Sequence, residues 1–139
     1  VGAQAASLAA AVTDLATAVG SFGMVGGQHV DLEAAGRETI DADTLEYILS
    51  RKTGSLFVVS ATVGGTLLGA PGERLAPLRT YARNLGLAYQ IIDDLLDVEG
   101  DATTLGKDVG QDAGKNTFVT VHGPEAARRT AARHGPARR

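Results

Sequence analysis

The sequence predicts an all-α protein, a helical bundle, and three observations support this prediction. Apolar residues recur at three- and four-residue steps over long segments, and no segment alternates apolar and polar residues as a half-buried strand does. Residues that favour helix starts precede these segments. The chain has 139 residues, 44% of them hydrophobic, which is enough for one core, either of a single domain or of one part of a larger domain.

The first two helical segments are predicted at about 3–30 and 43–68. The first contains four glycines near its end: Gly20, Gly23, Gly26 and Gly27. Each interior glycine costs about 1 kcal/mol relative to alanine, so this end either breaks or packs unusually close to another element. The second segment opens with Asp43 as the N-cap and Glu46 three residues later, which is the capping-box pattern.

The third helical segment is predicted from Pro77, a favoured first-turn residue, to Val98. A polar, glycine-rich loop follows at 100–114, and a short helix is expected from Thr117. Residues 124–139 have few large apolar side chains and form an Arg-rich tail, which is either a helix fragment or disordered.

The charge distribution excludes several classes of function. All 16 acidic residues but only eight of the 13 basic ones lie in residues 1–127, so the body is acidic and only the tail is basic. We expect no nucleic-acid partner, because an acidic body repels phosphates and the tail lacks aromatic side chains that stack on bases. The absence of cysteine excludes disulfides and thiol chemistry and fits a cytoplasmic location.

No membrane span is expected, because no stretch reaches about 18 charge-free apolar residues. The apolar run at the start of the chain contains Asp14 and has no basic region before it, so it does not resemble a signal peptide. The chain begins at Val1 rather than at a methionine, from which we expect processing or truncation.

An acidic stripe is the strongest functional signal. Gln90, Asp93, Asp94 and Asp97 follow helical i, i+3, i+4, i+7 spacing without a basic residue among them. Two ionised acids at this spacing repel by about 3 kcal/mol at an effective dielectric constant of ~20. The stripe therefore predicts a hard divalent cation, Mg²⁺, that holds a phosphate. The alternative is an exposed helix end that is acidic without function, although the helix dipole disfavours acids there.

Other polar residues are candidates for the same ligand. Lys107 and Lys115 lie in the glycine-rich loop beyond the acids, where they either reach a bound phosphate or only keep a surface loop soluble; the spacing is not that of a Walker A loop. Lys52 and Thr53 lie among apolar neighbours and either extend to water or face an internal polar cavity. Gln28 and Asp31 form a polar pair one helical turn apart, and we interpret His29, which lies between them, as a bystander.

Three segments taken together resemble the second half of a trans-isoprenyl diphosphate synthase of the farnesyl or geranylgeranyl type. They are GMVGGQHVDL, KTGSLF and YARNLGLAYQIIDDLLDVEGDATTLGKDVGQDAGKNT, and the resemblance covers about residues 7–127. It implies the isoprenoid synthase fold, with residues 1–123 as the C-terminal half of the domain. It also implies a homodimeric prenyltransferase that condenses an allylic diphosphate with isopentenyl diphosphate and uses Mg²⁺.

The resemblance also implies roles for individual residues. Asp93, Asp94 and Asp97 match the second aspartate-rich motif of the family, with Asp93 as the direct metal ligand. Lys52, Lys107 and Lys115 match diphosphate contacts. Thr53 and Gln90 match catalytic residues beside the reacting carbons, and Lys52 is assigned to catalysis with them. Gln28 and Asp31 match a pair in the cavity, with Gln28 assigned to the diphosphate and Asp31 to the metal.

The sequence also departs from the family pattern. It lacks the first aspartate-rich motif and the basic residues that bind isopentenyl diphosphate, so we expect this chain to be inactive alone. The physical reason is that one carboxylate cluster holds magnesium weakly. A non-catalytic partner subunit of a prenyltransferase is the first alternative, and an unrelated helical bundle with surface acids is the second.

Overall fold

The computed structural model describes residues 4–99 and 116–135, and every regular element in these two ranges is helical. The elements in chain order are α1 (Ala5–Val19), α2 (Met24–Ala34), α3 (Ala42–Ile48), a π-helix (Leu49–Gly54), α4 (Ser55–Leu67), α5 (Gly72–Glu99), α6 (Phe118–His122) and α7 (Pro124–His134). The predicted all-α class is confirmed.

The bundle is centred on α4 and α5, which pack against each other. α1 lies along α4 and α7 lies along α5, while α2 contacts the π-helix, which in turn contacts α5. One core cluster joins α5, α6 and α7 through Ile91, Leu95, Val119, Ala127 and Ala131. Two of these residues come from the Arg-rich segment, so α7 belongs to the packed structure. The domain boundary between 123 and 124 stays a prediction.

The first predicted helix is two helices, α1 and α2, separated by a break at 20–23. This agrees with the expectation that the glycines either break the helix or allow a close approach, because both occur. The close approach is at Gly27 in α2, where an added Cβ would lie 2.3 Å from the backbone nitrogen of Lys52. Glycine is therefore required where α2 crosses the π-helix.

Two predicted helix starts are wrong. The N-cap of α3 is Asp41, whose carboxylate accepts a 2.7 Å hydrogen bond from the Thr44 N–H, and Asp43 lies inside the first turn. The third predicted helix begins at Gly72, five residues before Pro77. Proline is tolerated there because it removes only one backbone hydrogen bond close to the helix end.

Asp41 makes the stability of α3 dependent on pH. The Thr44 backbone N–H, with help from the Thr44 side chain, lowers the pKa of Asp41 from 3.8. Because the folded pKa is depressed, the stabilisation is present above the unfolded pKa and is lost as the pH falls through the folded pKa. Below about pH 4, we expect the urea midpoint of the wild type to fall as its cap is lost, and the midpoint of Asp41→Asn to fall less over the same pH range. Asp43→Asn removes the same charge without the cap and is the matched control.

One stretch of the described chain is long and apolar enough, by length and composition alone, to cross a membrane. It is Ala5–Ala34, with mean hydropathy 1.5, and 17% of its most apolar window is buried. Core helices of soluble proteins and signal sequences pass the same test. In the structure this stretch is two helices, and the first of them packs along α4.

Candidate functional site

A chain of hydrogen bonds connects three separate elements of the bundle. The Thr53 hydroxyl of the π-helix donates to Gln90 Oε1 of α5 over 3.0 Å. The Gln90 Nε2 donates to Asp94 Oδ1 over 3.0 Å, and the Phe118 backbone N–H of α6 donates to Asp94 Oδ2 over 3.1 Å. The two long-range bonds join residues 37 and 24 positions apart in sequence, so only the folded chain brings these groups together.

The three acids of the stripe lie in different environments. Asp94 is 3% exposed and Asp97 is 7% exposed, whereas Asp93 is only partly buried. Both carboxylate oxygens of Asp94 accept hydrogen bonds, which offsets the cost of burying its charge. The acids are therefore not three equivalent ligands on one open face, as their helical spacing alone had indicated.

Lys52 forms an ion pair with Asp31 of α2. The Lys52 Nζ lies 2.6 Å from Asp31 Oδ2, and the two side chains are 39% and 24% exposed. This ion pair gives the Asp31 carboxylate a cation within the protein. The role of Asp31 as a metal ligand stays a prediction.

The π-helix explains how adjacent residues reach different helices. Lys52 contacts α2 and Thr53 contacts α5, and both side chains are partly buried against polar partners. A π-turn changes the angular spacing of successive side chains and is frequent at functional sites. The sequence had predicted one continuous helix across this segment. Lys52 remains 39% exposed while it contacts Asp31, and Thr53 contacts the partly buried Gln90, so the two residues have different environments.

A cavity lies next to this region, since Gly54 and Phe118 are among its lining residues. Its volume is about 940 Å³, and its lining includes Val59 and Thr62 of α4, Leu87 and Arg83 of α5, and His134 of α7. Neither Lys52 nor any acid of the stripe lines it. The candidate site is instead the zone where α2, the π-helix, α5 and the start of α6 meet. We call this zone the polar junction. It comprises Asp31, Lys52, Thr53, Gln90, Asp94 and the Phe118 N–H.

The sequence profile of the polyprenyl synthetase family matches residues 4–134. This chain belongs to that family. The chain is 44% identical over 123 residues to a farnesyl diphosphate synthase of Escherichia coli strain K12, a match that covers 86% of this chain and 41% of that protein. It is 43% identical over 129 residues to a dimethylallyltranstransferase of Fischerella ambigua, covering 91% of this chain and 37% of the relative.

Solved structures show the same family fold. An apo FPP/GFPP synthase of Zymomonas mobilis superimposes with a TM-score of 0.78 at 36% identity and covers 92% of this chain and 42% of that one. A geranyltransferase of Helicobacter pylori, complexed with magnesium and isoprenyl diphosphate, gives a TM-score of 0.81 at 26% identity, covering 94% and 43%. The chain thus has the fold of a polyprenyl synthetase and spans about two fifths of the length of these relatives.

Magnesium fits the acidic stripe beside the polar junction only together with a ligand that supplies further oxygens. Within residues 4–99 and 116–135, no three His, Cys, Asp or Glu side chains converge as a protein-only metal site requires. Magnesium nevertheless binds through one or two carboxylates when phosphate and water supply the remaining oxygens. The partly buried Asp93, one residue before Asp94, is suited to such a site.

The remaining predicted residues lie beside the junction or outside the described part of the chain. Gln28 is partly buried on α2, one turn before Asp31. Lys107 and Lys115 lie outside the described residues. Their assignment as diphosphate contacts stays a prediction, as does that of Gln28.

Sequence reasoning missed two contributions from the segment that enters α6. The Phe118 N–H is a backbone donor, which no residue type signals in advance. The Asn116 side chain donates to the Ala34 and Arg37 carbonyls over 3.2 Å each, so it holds the end of α2. An asparagine directly before the predicted helix start at Thr117 was the available signal, since this residue type often bonds backbone groups.

Proposed function

We propose that this chain supplies the C-terminal half of an isoprenyl diphosphate synthase active site. The reaction is the condensation of an allylic diphosphate with isopentenyl diphosphate. The observation that carries the proposal is the polar junction, where adjacent residues of the π-helix take part in the Lys52–Asp31 ion pair and in the Thr53–Gln90–Asp94 hydrogen-bond chain. The names of the relatives, a farnesyl diphosphate synthase and a dimethylallyltranstransferase, support the same substrate class.

Residues in the junction and near it in the sequence have distinct tasks in this proposal. Lys52 places positive charge where negative charge develops on the departing diphosphate. Thr53 and Gln90 present oxygen atoms near the allylic carbon, where positive charge develops. Asp93 holds magnesium, which as a Lewis acid stabilises the leaving group when it is bound. Lys107 and Lys115 add further diphosphate contacts.

The proposal includes further helices that this chain does not contain. Several large apolar side chains of α1 are exposed: Leu8, Val12, Leu15 and Val19. An exposed apolar face of this kind usually marks an interface, and the remaining three fifths of a polyprenyl synthetase domain would cover it. We further propose a cytoplasmic homodimer as the assembled form.

The test is reconstitution. We would fuse the N-terminal part of the Escherichia coli relative to residues 1–139 and measure transfer of labelled isopentenyl diphosphate to dimethylallyl diphosphate with Mg²⁺. We expect product from the fused polypeptide, and no product from the 139-residue chain alone. Asp93→Asn in the fused polypeptide is expected to lower the rate by about 10²-fold or more, because it removes a metal ligand.

Two results would contradict parts of this proposal. A folded, magnesium-replete fusion that forms no product would favour the non-catalytic partner subunit instead. Product from the chain alone would refute the prediction that it is inactive in isolation. Sedimentation of the fused polypeptide tests the homodimer separately.

A further inference from the structure

The polarity of the hydrogen-bond chain in the polar junction is determined at Asp94. A carboxylate whose two oxygens each face an N–H donor accepts at both of them, whereas a glutamine amide has one accepting and one donating end. The end of the Gln90 amide that faces Asp94 Oδ1 at 3.0 Å is therefore its NH₂ group. Its oxygen then faces Thr53, so the Thr53 hydroxyl donates its only proton to Gln90 over 3.0 Å.

Asp94 is held firmly enough to impose this polarity. It is 3% exposed, so water does not compete for its oxygens. Its second oxygen accepts the Phe118 backbone N–H at 3.1 Å, a donor whose direction is set by the start of α6. The carboxylate is thus anchored on one side by α6 and orients the amide on its other side.

We propose that Asp94 is a positioning residue that acts through Gln90 to keep the Thr53 proton on the Gln90 oxygen. The Thr53 Oγ1 then presents only lone pairs on the sides that do not face Gln90. An oxygen with no outward proton stabilises a neighbouring positive charge better than a hydroxyl that points its proton toward it. The role of this hydrogen-bond direction in catalysis rests on the proposed function. The direction itself rests only on the hydrogen bonds among Thr53, Gln90 and Asp94.

Replacing the carboxylate by an amide should reverse the chain without changing its volume. In Asp94→Asn the introduced side chain has one accepting oxygen, and we expect the Phe118 backbone N–H to retain it. The introduced NH₂ group then faces Gln90, so the Gln90 amide flips and its Nε2 donates to Thr53. The Thr53 proton is then no longer held by the Gln90 oxygen.

The test uses the ¹⁵N-labelled 139-residue chain and the solvent exchange of the Gln90 side-chain amide protons. In the wild-type background, Thr53→Val removes a donor to the amide oxygen and should change Nε2 exchange by less than about twofold. In the Asp94→Asn background, Thr53→Val removes the acceptor of Nε2 and should accelerate its exchange by about tenfold. Thr53→Ser retains the hydroxyl and should show no acceleration in either background.

Two outcomes would overturn the proposal. Acceleration of Nε2 exchange by Thr53→Val in the wild-type background would mean that the hydroxyl accepts, and this result does not depend on whether Asp94→Asn folds. Equal effects of Thr53→Val in both backgrounds would mean that Asp94 does not set the polarity. No substrate is present, so failure of the condensation assay would reject the proposed function and leave this polarity intact.

Discussion

Gly27→Ala is expected to lower the free energy of unfolding by about 3 kcal/mol, at the upper end of the usual overpacking penalty. The added Cβ would lie 2.3 Å from the backbone nitrogen of Lys52 and 2.8 Å from its Cα. These are backbone atoms, so no side-chain rotation relieves the contact. α2 would have to move away from the π-helix, and the Lys52–Asp31 ion pair between them would lengthen.

The measurement is urea unfolding of the 139-residue chain followed by circular dichroism. Gly64→Ala is the matched control, because a Cβ there meets no atom within 4 Å. Gly64 lies inside α4, so this change should stabilise the chain by about 1 kcal/mol through helix propensity. If Gly27→Ala left the free energy of unfolding unchanged or raised it, the close approach at Gly27 would not be as described.

Lys52→Met is expected to lower the turnover of the fused polypeptide by about 10²- to 10³-fold, the usual effect of removing one group that stabilises developing negative charge. Methionine keeps much of the unbranched stem and removes only the ammonium group. The Michaelis constant for the allylic diphosphate should rise less than turnover falls, because charge on the leaving diphosphate grows toward the transition state. Steady-state kinetics over a range of both substrates separates the two parameters.

Arg51→Met is the control for Lys52→Met. It removes the same charge from the neighbouring position, but the Arg51 guanidinium donates to the Phe22 carbonyl over 3.1 Å and lies outside the polar junction. We expect its turnover to remain within about threefold of wild type, as for most changes away from reacting groups. Equal losses in the two variants would show that general charge, rather than the position of Lys52, matters.

The Lys52–Asp31 pair needs a separate comparison, because Lys52→Met also leaves the Asp31 carboxylate without its cation. Combining Lys52→Met with Asp31→Asn removes both charges. If Lys52 acts on the diphosphate, the turnover of the double variant should be as low as that of Lys52→Met. This should hold even if the double variant has a higher free energy of unfolding than Lys52→Met.

Much of the fold follows from local patterns. Apolar spacing at three and four residues is enough to predict helices, because that spacing places side chains on one face whatever the partner is. Helix ends were less predictable. Asp41 and Asp43 are both chemically able to cap α3, and the path of the chain before the helix decides between them.

The π-helix and the Gly27 contact had weaker signals. Four glycines near one another predicted either a break or a close approach, and the structure shows a break at 20–23 and a close approach at Gly27. Nothing in Leu49–Gly54 distinguishes a π-turn from an α-turn by residue type, since both use the same backbone donors and acceptors. The different directions of Lys52 and Thr53 therefore could not be predicted.

The residue pattern alone was sufficient for the helical class, for the acidic stripe on α5 and for the resemblance to the polyprenyl synthetase family. It left the three acids equivalent, because helical spacing says nothing about what packs against each position. Only the packing of α5 against the π-helix and α6 makes Asp94 a buried, doubly bonded carboxylate and leaves Asp93 partly accessible. The physical reason is that the Phe118 N–H, 24 positions from Asp94, and the Thr53 hydroxyl, 37 positions from Gln90, meet these side chains only in the folded chain.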